Sequence, residues 1–263
     1  MHSAGVARNG PELALEGSRM VARKWFAVVP LTASMLVAPI PAALAQVPVD
    51  LELVLAVDVS GSINDEDAAL QRGGYARAVT DKRVIEAIQA GTLGRIAVTY
   101  VEWADDQLQR TVVDWRVVDG PATAKAFSKA LAGGPTVTEA RTSISALIDH
   151  CLGLFADNGF DGTRQVIDIS GDGENNVGRP VTLARDDAIR AGVTINGLPI
   201  LRAGLLPWAE DRDRRRHLDV YYQDNVIGGP GAFVVVVKDA HGFADAIIAK
   251  LLKEIAALPE LMP

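Results

Sequence analysis

Residues 51–62 read LELVLAVDVSGS. From Leu51 to Val57 only Glu52 interrupts the apolar run, and seven residues suit a strand buried on both faces of a parallel sheet. The run ends on an acid, Asp58, followed by two hydroxyl residues around a glycine, Ser60-Gly61-Ser62. Working outward, Asn64, Asp65 and Glu66 open a helical stretch to about Ala90, with a break expected near Gly73-Gly74 or Thr80-Asp81. A second strand is predicted over Arg95–Val101. The short turn at Ala104–Gln107 leads to a third over Thr111–Val118, antiparallel and at the sheet edge.

The remainder alternates in the same way. A helix is predicted from about Ala122 to Leu131. A second, capped by Thr142 or Ser143, carries the stripe Ile144, Leu147, Ile148, Cys151, Leu152 and Phe155. Gln165–Ser170 reads as the fourth strand, Val181–Ala191 as a helix stopped by Gly192, Val193–Ile200 as the fifth strand and Phe233–Val237 as the sixth. The last helix, Ala240–Ala256, presents Phe243, Ile247, Leu251 and Ile255 to the sheet. Strands alternating with helices imply an α/β fold. It is doubly wound around a mostly parallel six-stranded sheet with one antiparallel edge strand.

The chain of 263 residues is 49% hydrophobic, enough for a sizeable core, and its formal charge of -7 argues against general affinity for nucleic acid. Residues 1–45 differ from the rest. Arg19, Arg23 and Lys24 precede an apolar run, Trp25–Leu44, that ends in Ala43-Leu44-Ala45. That order describes a secretory signal cleaved after Ala45, with Met20 as an alternative start and an uncleaved anchor as the competing reading. Pro30, Pro39 and Pro41 favour cleavage. Residues 46–263 would then form one domain, exported to the periplasm or beyond. Its charge would be about -9, and no later segment is apolar enough to span a bilayer. The single cysteine, Cys151, sits on an apolar stripe and reads as a buried structural thiol.

Side chains at the carboxyl ends of strands in such a sheet converge on the ligand crevice. Asp58, Ser60 and Ser62 follow the first strand there, and Asp172 follows the fourth. Chain direction brings Thr142 to the same edge: the antiparallel third strand descends, the next helix climbs, and the loop before Thr142 lies at the top. Two carboxylates and three hydroxyls are hard oxygen donors. They suit a divalent cation, Mg²⁺ first and Mn²⁺ or Ca²⁺ next, whereas zinc and copper favour His and Cys.

Asp-x-Ser-x-Ser at 58–62, Thr142 before an apolar helix, and Asp172-Gly173 together resemble the metal-ion-dependent adhesion site of von Willebrand factor A (vWA) domains, a Rossmann-like fold. The resemblance implies that Ser60, Ser62 and Thr142 hold the ion and that Asp58 and Asp172 bind it directly or through water. It also implies that a protein partner completes the shell with its own carboxylate. The family commonly carries Thr-Asp-Gly at the third piece, whereas this chain reads Ser170-Gly171-Asp172-Gly173. Glu174, Asn175 and Asn176 either add ligands or form the turn. The segments SGDGENN, INGLPI and YYQDNVIGGPGAFVVVV resemble an uncharacterised bacterial exported branch of that superfamily.

Other candidates are weaker. Asp168, inside an apolar strand, either orients the site or is a hydrogen-bonded structural acid. Glu102 and Trp103 end the second strand at the top, where they either border the binding face or, as is usual for a strand-end glutamate, are solvated. Arg202, Trp208 and the 211–216 charge run contact a partner or form a solvated connector, with a short helix expected at Leu218–Tyr222. Ser60 lacks a nucleophile elbow, no histidine is placed beside it, and no phosphate loop is present, so no catalytic residue is assigned. A metal-dependent hydrolase and a metal-stabilised structural domain remain the alternatives to a binding module.

Overall fold

The apolar run becomes β2 (Leu51–Asp58), buried at every position. It occupies the centre of a five-stranded sheet whose other members are β3 (Ile96–Trp103), β4 (Gln109–Val118), β6 (Gln165–Gly171) and β7 (Val193–Pro199). Their spatial order is β4-β3-β2-β6-β7, with all pairs parallel except β3–β4. The computed structural model describes residues 46–61, 65–132, 137, 139–201, 217–237 and 242–256, without the side chains of 65–67. The leader 1–45, Ser62, and the 202–216 segment with Arg202, Trp208 and the charge run therefore lie outside the described residues.

Helices cover both faces, as the alternating pattern predicts. Leu51, Leu53, Leu55 and Val57 pack with α1 (Asp65–Val79), α2 (Lys82–Gln89), α3 (Pro121–Leu131) and α7 (Phe243–Ala256). Val54 and Ala56, pointing the other way, pack with α4 (Ile144–Leu154), α5 (Val181–Arg190) and α6 (Leu218–Tyr221). The period of two along β2 thus divides the core into two layers. Helix α1 runs unbroken through Gly73-Gly74. The break falls at Thr80-Asp81, where the Asp81 carboxylate accepts from Arg83 N at 2.9 Å and caps α2.

Two features differ from expectation. Residues 47–49 and 160–162 form a small parallel sheet, β1 (Val47–Val49) with β5 (Phe160–Gly162). The predicted sixth strand, 233–237, does run parallel to β7, but through isolated bridges, Gly197 to Val234 and Ile200 to Val237. The reason is one residue. Gly197 N donates to Phe233 O and Leu201 N to Val237 O, and the donor due between them belongs to Pro199, which has no N–H.

Candidate metal centre

The carboxyl ends of β2, β3 and β6 meet the start of α4. Val59 N donates to Trp103 O at 2.9 Å, and Ser143 N donates to Ala104 O at 2.7 Å, so the loop before α4 stands over the end of β3. Ser60 forms a parallel bridge with Glu139. Asp58, Ser60, Thr142 and Asp172 are all buried. The structure brings Asp58, Ser60 and Asp172 to one edge, with Thr142 beside Gly173: a Cβ on Gly173 would lie 3.3 Å from Thr142 Oγ1. Ser62 lies outside the described residues.

Local backbone chemistry holds Asp58 and Thr142. Asp58 Oδ1 accepts from Ser60 N at 2.7 Å, a tight turn that orients the carboxylate at the strand end. Gln71 Nε2 donates to Asp58 O at 3.3 Å and ties that turn to α1. Thr142 is fixed by Asn176, whose Oδ1 accepts from Thr142 N at 3.0 Å while Asn176 N donates to Thr142 O at 2.9 Å. Asn175 Oδ1 accepts from Ser145 N at 2.9 Å, and Ser143, the N-cap of α4, accepts from Ala146 N. Asn175 and Asn176 therefore clamp Thr142 and the first turn of α4 to the loop after β6, Asn175 satisfying the Ser145 N–H that lacks an intrahelical partner. The sequence left open whether they were ligands or turn formers; their amide oxygens are used on α4.

The electrostatics of this edge are dominated by acid. Burial, and after it the nearby charge of Asp172, push the Asp58 carboxyl up to about 7, against the opposing pull of Ser60 and of the Asp172 backbone. No basic side chain figures among these influences, and Asp58 Oδ2 is buried without a hydrogen-bond partner among the described residues. A buried carboxylate oxygen facing a second acid is the chemistry a hard cation fits. No group of three or more His, Cys, Asp or Glu side chains placed to hold a metal ion occurs among the described residues.

The remaining candidates resolve differently. Glu102 is not solvated, as a strand-end glutamate would be. It is buried and bridged by Arg72 Nε at 2.6 Å and Arg110 Nη2 at 2.6 Å, because α1 and β4 both close over the end of β3. Trp103 is likewise buried. Asp168 faces the opposite side of the sheet from Asp58 and pairs with Lys250 of α7, so it is a structural acid and not a neighbour of Asp58. Cys151 is fully buried and burial pushes its thiol up, as a structural cysteine requires. Sequence reasoning missed Tyr222, whose buried ring reaches Gly171. The short helix expected at Leu218–Tyr222 forms as α6 and passes into a π-helical turn, Tyr222–Val226, whose neighbours on β6 and β7 no local pattern reveals.

No curated protein matches the chain by sequence. Among solved structures, proximal thread matrix protein 1 from the mussel byssus, in a structure described as having a zinc-occupied MIDAS motif, is 15% identical. It superposes with a TM-score of 0.56 over 80% of this chain and 49% of that one. A von Willebrand factor type A protein from Catenulispora acidiphila is 15% identical, with a TM-score of 0.51 over 79% of this chain and 43% of that one. The pilus adhesin SpaC from Lactobacillus rhamnosus GG, in its open conformation, is 14% identical, with a TM-score of 0.52 over 80% and 30%. The chain thus spans less than half the length of these proteins, and the likeness is one of fold. The family model described as "Protein of unknown function (DUF1194)" matches residues 48–259. The chain belongs to that family, and its fold is that of the von Willebrand factor A superfamily.

Proposed function

We propose that the chain is an exported binding module in which Asp58, Ser60, Ser62, Thr142 and Asp172 hold one divalent cation and present it to a protein partner. The observation that carries the reading is the Asp58 carboxylate: buried, repelled by Asp172, and with one oxygen unpartnered among the described residues. When bound, the cation supplies positive charge to the two acids and a coordination position for an outside carboxylate. Ser60 and Thr142, buried beside them, add neutral oxygen donors, and the Asn175–Asn176 clamp keeps Thr142 in place. Mg²⁺ is the cation favoured by this all-oxygen set. The zinc named for the mussel protein makes Zn²⁺ a necessary competitor in any titration. Export rests on the basic and apolar leader ending at Ala45; among the described residues no helix is long and apolar enough to cross a membrane.

The test is calorimetric titration of wild type and Asp58→Ala with Mg²⁺, Mn²⁺, Ca²⁺ and Zn²⁺, followed by titration of the loaded protein with a glutamate-rich peptide. Cation binding lost in Asp58→Ala, and peptide binding that requires the cation, are expected. Equal cation binding by the two proteins removes the site, and cation-independent peptide binding removes its role in recognition.

A further inference from the structure

Tyr222 opens the π-helical turn and is wholly buried, its backbone fixed where Ile227 N donates to Tyr222 O at 3.0 Å. Its ring crosses two glycines on neighbouring strands. A Cβ on Gly197 would stand 2.8 Å from Tyr222 Cδ1, and a Cβ on Gly171 would stand 2.7 Å from Tyr222 Oη. Both distances are shorter than side-chain packing tolerates, so the ring needs glycine at both positions.

The point a Gly171 Cβ would occupy is also 2.9 Å from Asp58 Oδ2. Tyr222 Oη and Asp58 Oδ2 therefore both border the space that a side chain at position 171 would fill. Tyr222 Oη and Asp58 Oδ2 are each buried without a hydrogen-bond partner among the described residues. Buried polar atoms without partners are uncommon, and here a donor and an acceptor are left so at the same spot. The extra glycine that sets Ser170-Gly171-Asp172-Gly173 apart from the commoner Thr-Asp-Gly pattern is thus the residue that admits the tyrosine.

We infer that Tyr222 is a positioning residue of the cation site, its hydroxyl directed at Asp58 Oδ2 across Gly171, so that it fixes the orientation of that carboxylate. The inference rests on the cation reading of Asp58. It names a residue that borders the carboxylate side of the site and adds no ligand. A tyrosine used only for packing would lose nothing on removal of its oxygen.

Tyr222→Phe tests this by Mg²⁺ titration, read by calorimetry and by the near-ultraviolet difference spectrum of the tyrosines. Wild type is expected to show a tyrosine difference band on saturation; Tyr222→Phe loses that band and binds Mg²⁺ about tenfold more weakly. Tyr221→Phe keeps the band. A Tyr222→Phe protein with wild-type affinity overturns the inference, as does a wild-type spectrum unchanged by Mg²⁺. Gly171→Ala gives an independent arm, because its methyl group meets both atoms. It should cost more affinity in wild type than in Tyr222→Phe, and strictly additive losses overturn the coupling. If Asp58→Ala binds Mg²⁺ like wild type, the cation reading itself fails. If only Tyr222→Phe behaves like wild type, the inference fails alone.

Discussion

Two pairs of buried carboxylates lie on opposite faces of the same sheet, and they solve the same electrostatic problem differently. On the face toward α7, Asp168 and Glu254 are joined by Lys250, whose ammonium pairs with Asp168 and reaches Glu254 Oε1 at 2.5 Å. All three side chains are buried. Asn196 Nδ2 donates to Glu254 Oε1 at 3.1 Å, and Asn196 Oδ1 accepts from Phe233 N, so the network also anchors the 233–237 segment. Burial and then Glu254 push the Asp168 carboxyl up to about 7, with Lys250 opposing them. On the other face Asp58 is raised to about 7 by burial and Asp172, and no lysine or arginine figures among the influences on it. The first pair carries its cation on the chain. The second, in the proposed function, takes it from solution.

The largest effect should come from removing the internal cation. Lys250→Met leaves two buried acids facing each other and should lower stability by about 3–5 kcal/mol in urea denaturation. A loss no larger than that of a surface lysine would break the contrast between the two faces. Asp58→Asn should do the reverse in metal-free protein, relieving repulsion and leaving stability equal to or above wild type. At a Mg²⁺ concentration about 100-fold above Kd it should forgo the roughly 2.7 kcal/mol that the cation gives wild type.

The pH dependence sharpens the same point. The Asp58 carboxyl sits at about 7 in the folded chain against the ordinary aspartate value of 3.8, so between those values the native state binds the extra proton. Stability of metal-free wild type should therefore fall as pH rises through that window, flatten above it, and fall less steeply in Asp58→Asn. Saturating Mg²⁺, by holding the carboxylate charged, should remove the difference between the slopes. Thermal melts at stepped pH read this directly. The smallest effect is expected from Asn176→Ala, which strips the acceptor from Thr142 N. It should cost about 1 kcal/mol in stability, with a modest weakening of Mg²⁺ affinity.

Legibility in the sequence followed the range of the forces involved. β2, β3, β6 and β7 could be read because each is rich in apolar and β-branched residues, and the direction of each followed from its connections. The candidate side chains Asp58, Ser60, Thr142 and Asp172 could be placed at one edge for the same reason. Glu102 could not be read as buried, because its two arginines come from α1 and from β4, 30 residues before it and 8 residues after it. The bridges at 233–237 turned on Pro199 of a neighbouring strand, which a run of valines does not reveal. β1 was illegible because three residues containing a proline carry no period. Tyr222 was missed because its role depends on two glycines that become neighbours only when β6 and β7 pair.

The lone cysteine turns these comparisons into something measurable without denaturant. Cys151 lies on α4, eight residues after the serine that caps the helix, and its thiol is sealed against the sheet. An alkylating reagent can reach it only when α4 lifts away, so in excess reagent the labelling rate reports how often that opening occurs. Because the same helix starts beside Thr142, occupation of the site should slow alkylation, and the internal network on the far face should slow it whether or not metal is present.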